Sequence, residues 1–192
     1  MVLLKEIEHA EEVPVDFAFI KSVVKPIIPK IHMIAHEDLP EKPDLDHDVF
    51  KGSDAVAILF RVFHSNLPTD VAHWCCLMKA SHGKKVRFYD SLALNLKRIY
   101  ALTSESPKLL WALRNTSYED SHTKMQDMVR KQKYCGTAVS CRLRYPYMSN
   151  REFERHILSY DRSHPGRTMT LMTLFHYFDQ KEYSKKYLEK VK

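Results

Sequence analysis

Glycine is scarce in this chain, four among 192 residues. The four stand far apart, so there is no Gly-rich loop to cradle a phosphate and no dinucleotide fingerprint. Cysteine is equally rare, again four, with no paired spacing. In a chain of this length that points to free thiols in a reducing compartment rather than to a disulfide framework. Long apolar runs are missing too, and nothing approaches the roughly 20 residues of a membrane span, so no membrane partner is expected. The opening Met1-Val2-Leu3-Leu4-Lys5-Glu6 turns acidic too soon for a secretory signal, and the protein is expected not to be secreted. Charge of neither sign dominates: 30 Lys and Arg against 24 Asp and Glu leave +6. That balance permits contact with DNA or an acidic partner without establishing it. A helical His-Glu-x-x-His, internal repeats, low-complexity tracts and an interdomain linker are likewise absent. One domain over 1–192 is expected, with an irregular or helical region over 1–50 and the core over 51–192.

Pro14, Pro26, Pro29, Pro40 and Pro43 cut the first fifty residues into short pieces. Phe17, Ile20, Val23 and Val24 fall at helical spacing and predict an amphipathic helix that Pro26 ends. Asp44, Asp46 and Asp48 lack the glycine and distal glutamate of a calcium loop and read as a solvated loop. Ala55–Val62 reads as a buried strand, and 73–80 with 86–90 as a hairpin. If Lys79 pairs with Lys84, then Leu77 faces Val86, Cys75 faces Phe88 and His73 faces Asp90. Directly opposed Cβ atoms lie about 4.5–5.5 Å apart, within reach of a His–carboxylate hydrogen bond. Leu92, Leu96, Ile99 and Leu102 repeat at helical spacing. Ser106-Pro107 predicts a capped helix over 108–113. Residues 116–131 are polar, with room for one short strand ending near Gln126. A central helix is expected over 137–145, and the Ser149/Glu152 capping box opens another to about Tyr160. His164-Pro165-Gly166 reads as a turn. A last helix from Thr168 should bury Leu171, Leu174, Phe175 and Phe178. This order predicts an α+β fold, a mixed sheet packed against a central helix.

The chemistry concentrates at Gln132-Lys133-Tyr134-Cys135-Gly136. A cysteine in the first turn of a helix has its thiolate stabilised by unpaired N–H groups and the helix dipole, and its side chain is exposed at the helix end. Arg130, Lys131 and Lys133 add positive charge, and Gly136 lets a substrate backbone approach the sulfur. Upstream, His73 and Asp90 supply an imidazole and the carboxylate to orient it, and a glutamine is a suitable neutral oxyanion donor. The set predicts a thiol endopeptidase in which Cys135 attacks, His73 shuttles the proton and Asp90 holds the ring.

His73-Trp74 opening a strand, Phe88-Tyr89-Asp90-Ser91-Leu92 ending the next, and Cys135-Gly136 heading a helix resemble the adenain and SUMO-protease superfamily over residues 55–145. Within it the chain is more similar to the maturation proteases of adenoviruses and of large DNA viruses such as African swine fever virus. Tyr134 stands where those proteases carry Asp, and a Trp-Leu-Asn-Asp-like N-terminal motif is absent. The resemblance implies a papain-like, adenain-like arrangement without a cofactor. It implies cleavage after Gly in viral structural polyproteins during virion maturation, in the host cytoplasm or the virion, with DNA or an activating peptide as further partners. Trp74 reads as core or as a wall of the substrate groove, and Gly136 as part of that groove. For the oxyanion the resemblance offers Gln132, three positions before the cysteine, or Gln126, nine before.

Two other readings stand beside this one: a deconjugating protease for ubiquitin-like modifiers, and a non-catalytic DNA-binding or virion scaffold protein. A zinc site built from His73, Cys75, His82 and Cys135 lacks paired ligand spacing, so no metal is expected. Cys75, Cys76 and Cys141 read as small buried apolar residues.

Overall fold

The computed structural model describes residues 15–62, 71–80, 85–103, 105–126 and 134–180. Its centre is a five-stranded mixed sheet in sequential order. The strands are β1 (Ile31–Ala35), β2 (Ala55–Val62), β3 (Val71–Lys79), β4 (Lys85–Tyr89) and β5 (Ser117–Glu119). The outer pairs β1–β2 and β4–β5 run parallel, and the inner pairs are antiparallel. Six helices complete the described fold: α1 (Phe17–Val24), α2 (Leu96–Leu102), α3 (Lys108–Ala112), α4 (Cys135–Leu143), α5 (Asn150–Tyr160) and α6 (Pro165–Gln180). Among the described residues no helix is long and apolar enough to cross a membrane.

Strand alternation divides the sheet's side chains between two cores. Ala55, Ala57, Trp74, Cys76, Met78 and Tyr89 face α1, α4, α5 and α6. Val56, Ile58, Phe60, Cys75, Leu77, Val86 and Phe88 face Phe50, α2 and α3. Covering both faces explains why β2 and β3 are nearly continuous apolar runs rather than alternating ones. The result is the expected α+β architecture, with α4 packed directly on β3.

The hairpin register differs from the expected one by two residues. Lys79 pairs with Val86, Leu77 with Phe88 and Cys76 with Tyr89. Side chains alternate with a period of two, so an even slip leaves every residue on its face while changing its neighbour. Extending the register puts Cys75, not His73, level with Asp90.

Other expectations are corrected similarly. Residues 31–35 form a strand in the stretch expected to be irregular or helical, while 45–50 form a π-helical turn. Asp44 caps that turn by accepting from Asp46 N and His47 N at 2.9 and 2.8 Å, so the aspartate run is a helix start instead of a solvated loop. Helix α2 starts at Leu96 behind an Asn95 cap, leaving Leu92 in a turn. Ser106 does not cap α3, since its hydroxyl donates to Glu41 at 3.0 Å. The short strand after residue 116 ends at Glu119.

Pro165 opens α6, because a first-turn residue needs no N–H partner. That helix buries its small and hydroxylic face. Thr173 donates to Thr137 O at 3.0 Å and Gly166 lies against Tyr134, while Leu171 and Phe175 are 41 % and 69 % exposed. Close approach to α4 requires small residues there, so Leu171 and Phe175 lie outside, while Met169 reaches the core. Phe178 has its side chain outside the described residues. The Ser149/Glu152 capping box is present at α5.

Candidate active site

Helix α4 enters the site at its first residue. Tyr134 holds the turn before it, with its carbonyl accepting from Ala138 N and Thr137 Oγ1. A Cβ on Gly166 would lie 3.1 Å from the Tyr134 ring, so α6 pins the start of α4. Cys135 is therefore not an exposed thiol; it is 7 % exposed.

It lies against β3, where the His73 ring and the Trp74 backbone both favour its charged form. The His73 ring hydrogen-bonds Asp90 through Nε2. His73, Asp90 and Cys135 are thus brought together by three separate elements: β3, the end of β4 and the start of α4.

Asp90 is fully buried and its carboxylate has both oxygens doubly engaged. Oδ1 accepts from Leu92 N at 2.9 Å and Leu94 N at 3.1 Å. Oδ2 accepts from the His73 ring and from the Cys75 thiol, the latter at 3.3 Å. Its backbone N–H donates to Ser121 Oγ at 2.7 Å. A buried carboxylate without such partners would cost several kcal/mol and would neutralise instead.

The electrostatics separate the four cysteines. Burial pushes Cys135 up, but its hydrogen bond to His73, the His73 charge and the Trp74 backbone outweigh that and hold the thiol below its ordinary 9.0. Burial pushes Cys76 and Cys141 up to about 12. Burial and the Asp90 charge push Cys75 up further, so it remains a thiol. For His73, burial opposes the charged ring, yet Asp90 and its hydrogen bonds raise it well above the ordinary 6.5. Its main negative partner is Asp90, with Cys135 adding a hydrogen bond, while Cys75 stays neutral. A depressed thiol beside a raised imidazole favours a thiolate–imidazolium pair.

Among the described residues, one group has the donors for a metal ion: His73, Cys75 and Asp90, with ligand atoms within 4.8 Å of one another. Those atoms are already hydrogen-bonded to each other, and the raised Cys75 resists becoming the thiolate a metal needs.

Around this core, Trp74 is 5 % exposed and its indole Nε1 donates to Val15 O at 3.1 Å. Phe17 meets its ring edge-on at 4.8 Å. The side of Gly136 where a Cβ would sit is taken by the chain's own Val15. Gln126 lies beside the site: its N–H donates to Ser91 O at 3.0 Å, and its Oε1 accepts from Ser91 Oγ at 2.7 Å. Gln132, Arg130, Lys131, Lys133 and His82 lie outside the described residues. Sequence reasoning missed Cys75, Ser121 and Ser91 as supports of Asp90 and Gln126. The two-residue period of β3 placed Cys75 on the His73 face and was the available signal.

No family model matches the chain, and no curated protein matches it. Solved structures do. One of the SUMO protease Ulp1 with its catalytic cysteine oxidised to a sulfinic acid matches at TM-score 0.38 and 12 % identity, covering 85 % of this chain and 79 % of that one. Another, with that cysteine oxidised to a sulfonic acid, matches at TM-score 0.40 and 14 % identity, covering 84 % and 75 %. Likeness this distant carries no family assignment, and the chemistry rests on the site itself.

Proposed function

We propose that this protein is a cysteine endopeptidase in which Cys135 is the nucleophile, His73 the acid–base and Asp90 the orienting carboxylate. One observation carries the reading: a buried imidazole is engaged at once by a buried carboxylate and by the single described cysteine whose thiol is depressed. The Cys135 thiolate attacks the scissile carbonyl carbon, and the oxyanion forms at the helix N-terminus, where the Cys135 N–H donates. The His73 imidazolium gives its proton to the leaving amine, and a thioester remains on Cys135. Water then attacks the thioester with His73 as base, releasing the acid and regenerating the pair.

For the second oxyanion donor, support lies with Gln126. Its Oε1 accepts from Ser91 Oγ, which ties the amide to the residue after Asp90; Gln132, outside the described residues, is the other candidate. The substrate class is a polypeptide cleaved after glycine, with structural polyproteins of a virus as the natural pool. Support for glycine is the crowding next to the candidate pair, where Val15 packs against both Trp74 and Gly136. A basic balance of +6 suits DNA or an acidic peptide as an activating partner in a virion or the host cytoplasm.

The test is cleavage of a Gly-x peptide panel by the wild type and by Cys135→Ala. Cleavage that disappears in the variant supports the reading, and equal activity overturns it. Rapid labelling of Cys135 by ubiquitin-like vinyl-sulfone probes would move the substrate class to modifier conjugates. Salt-dependent DNA binding with no thiol-dependent cleavage would replace the enzyme by a binding protein.

A further inference from the structure

The proposed chemistry leaves one thiol at the site without a task. Cys75 stands two residues beyond His73 in β3, on the same face, and is fully buried. A carboxylate has about four acceptor positions, and on Asp90 two lie filled at each oxygen. Backbone N–H groups take both on Oδ1, which fixes that end of the group to the turn after β4. Oδ2 is shared between the His73 ring and the Cys75 S–H. The oxygen that meets the imidazole thus has a second donor on it, from the strand that carries the imidazole.

We propose that Cys75 is a positioning residue: its S–H, sharing Asp90 Oδ2 with His73, pins the carboxylate against the ring and withholds part of its charge from the imidazolium. This rests on the reading of His73, Asp90 and Cys135 as a protease site. A thiol is a weak donor. It occupies the remaining acceptor position without drawing as much charge from the carboxylate as a hydroxyl would. Burial and the Asp90 charge both oppose its ionisation, so the donor is permanent. A buried Asp90 with that position empty would hold the ring proton more strongly and delay its transfer to the leaving amine.

The other titratable groups around the pair do not duplicate this contact. From α4, Cys135 interacts with the ring itself. From α2, the Tyr100 hydroxyl feels Cys75 and is itself pushed up, hence neutral. Cys76, on the other face of β3, feels Asp90 and is neutral as well. Ser121 meets Asp90 at the backbone, where its Oγ accepts from the Asp90 N–H.

The test reads His73 directly. In protein labelled with 13C-histidine, its resonance among the eleven histidines is assigned by its loss in His73→Gln and followed against pH. Cys75→Ala, which removes the donor, should raise the His73 pKa by about half a unit to one unit. Cys75→Ser, a stronger donor, should lower it. Cys75→Val keeps an apolar side chain but not the donor, and replaces the alanine variant if its cavity costs the fold. Shifts of opposite sign for loss and strengthening of the donor support the role, since a packing residue would move both variants alike. Shifts of the same sign, or none beyond about 0.2 units, overturn it. The titration needs no substrate, so it decides the part played by Cys75 even if peptide cleavage fails and the protease reading falls.

Discussion

Gly136 and Val15 touch at the entrance to the nucleophile helix: a Cβ on Gly136 would lie 2.5 Å from the Val15 Cβ and 3.1 Å from both of its methyl groups. Glycine is needed there for packing, whatever else it does. Gly136→Ala should therefore destabilise by about 1–3 kcal/mol, an overpacking cost, which is several degrees of Tm for a chain this size. Thermal melting checks it, and Val15→Gly in the same chain should return part of the loss. An alanine variant as stable as wild type would show that the segment at Val15 yields without cost.

Alkylation should find Cys135 first. Its thiol lies below 9.0, whereas Cys76 and Cys141 sit at about 12 and Cys75 is raised further. Limited iodoacetamide treatment near neutral pH, followed by peptide mapping, should modify Cys135 at least tenfold faster than those three, about one pKa unit's worth of thiolate. Uniform labelling would contradict the electrostatics of the site.

The pH–rate profile should be bell-shaped. Activity rises with pH as Cys135 loses its proton, below the ordinary thiol value, and falls as His73 loses its own, well above 6.5. The sign for stability follows from His73 as well. Its folded pKa is raised, so the contribution of His73 itself is fully present below about 6.5 and is lost as pH climbs through the folded value. Melting in His73→Gln against pH should show the difference from wild type shrinking on the alkaline side.

Asp90 carries both chemistry and structure, so its variants should separate the two. Asp90→Ala strips the Leu92 and Leu94 N–H groups of their acceptor and should lower stability along with activity. Asp90→Asn can keep those two bonds, but it presents a donor to the His73 ring and favours the wrong tautomer. A fall of about three to four orders of magnitude in kcat with a near-native melt is expected, by analogy with the same change in serine proteases.

Arg142 is fully buried and ties down the loop after α4. Its Nε donates to Asn150 Oδ1 at 3.1 Å, and its two terminal nitrogens donate to Tyr145 O and Met148 O at 2.7 Å each. Arg142→Ala orphans those neutral acceptors and should cost about 1–3 kcal/mol for each one left buried and unsatisfied. Arg142→Lys should recover little, because an ammonium cannot span three fixed acceptors in a plane.

Several features were legible without coordinates because they are local. The α1 periodicity, the Ser149/Glu152 capping box and the apolar runs of β2 and β3 each follow from neighbours in the chain. The edge strand β1 was not legible, since it has no alternating pattern and is held by its parallel pairing to β2. The buried face of α6 was misjudged for a similar reason. Hydrophobicity pointed to Leu171 and Phe175, but closeness to α4 demanded Gly166, Thr170 and Thr173.

By itself the sequence determined which residue types stand where. A Cys-Gly pair heads a helix, a His begins an inner strand and an Asp ends the next, and period-two alternation fixes the faces of those strands under any even slip. Tertiary structure decided which atoms meet. The two-residue register shift set Cys75 level with Asp90 and left His73 to reach the same oxygen diagonally. The docking of α4 on β3 brought Cys135 to the ring and buried it, and Val15 closed over Trp74 and Gly136. These contacts join residues far apart in the chain, and their geometry is set by packing across the sheet, which no local pattern encodes.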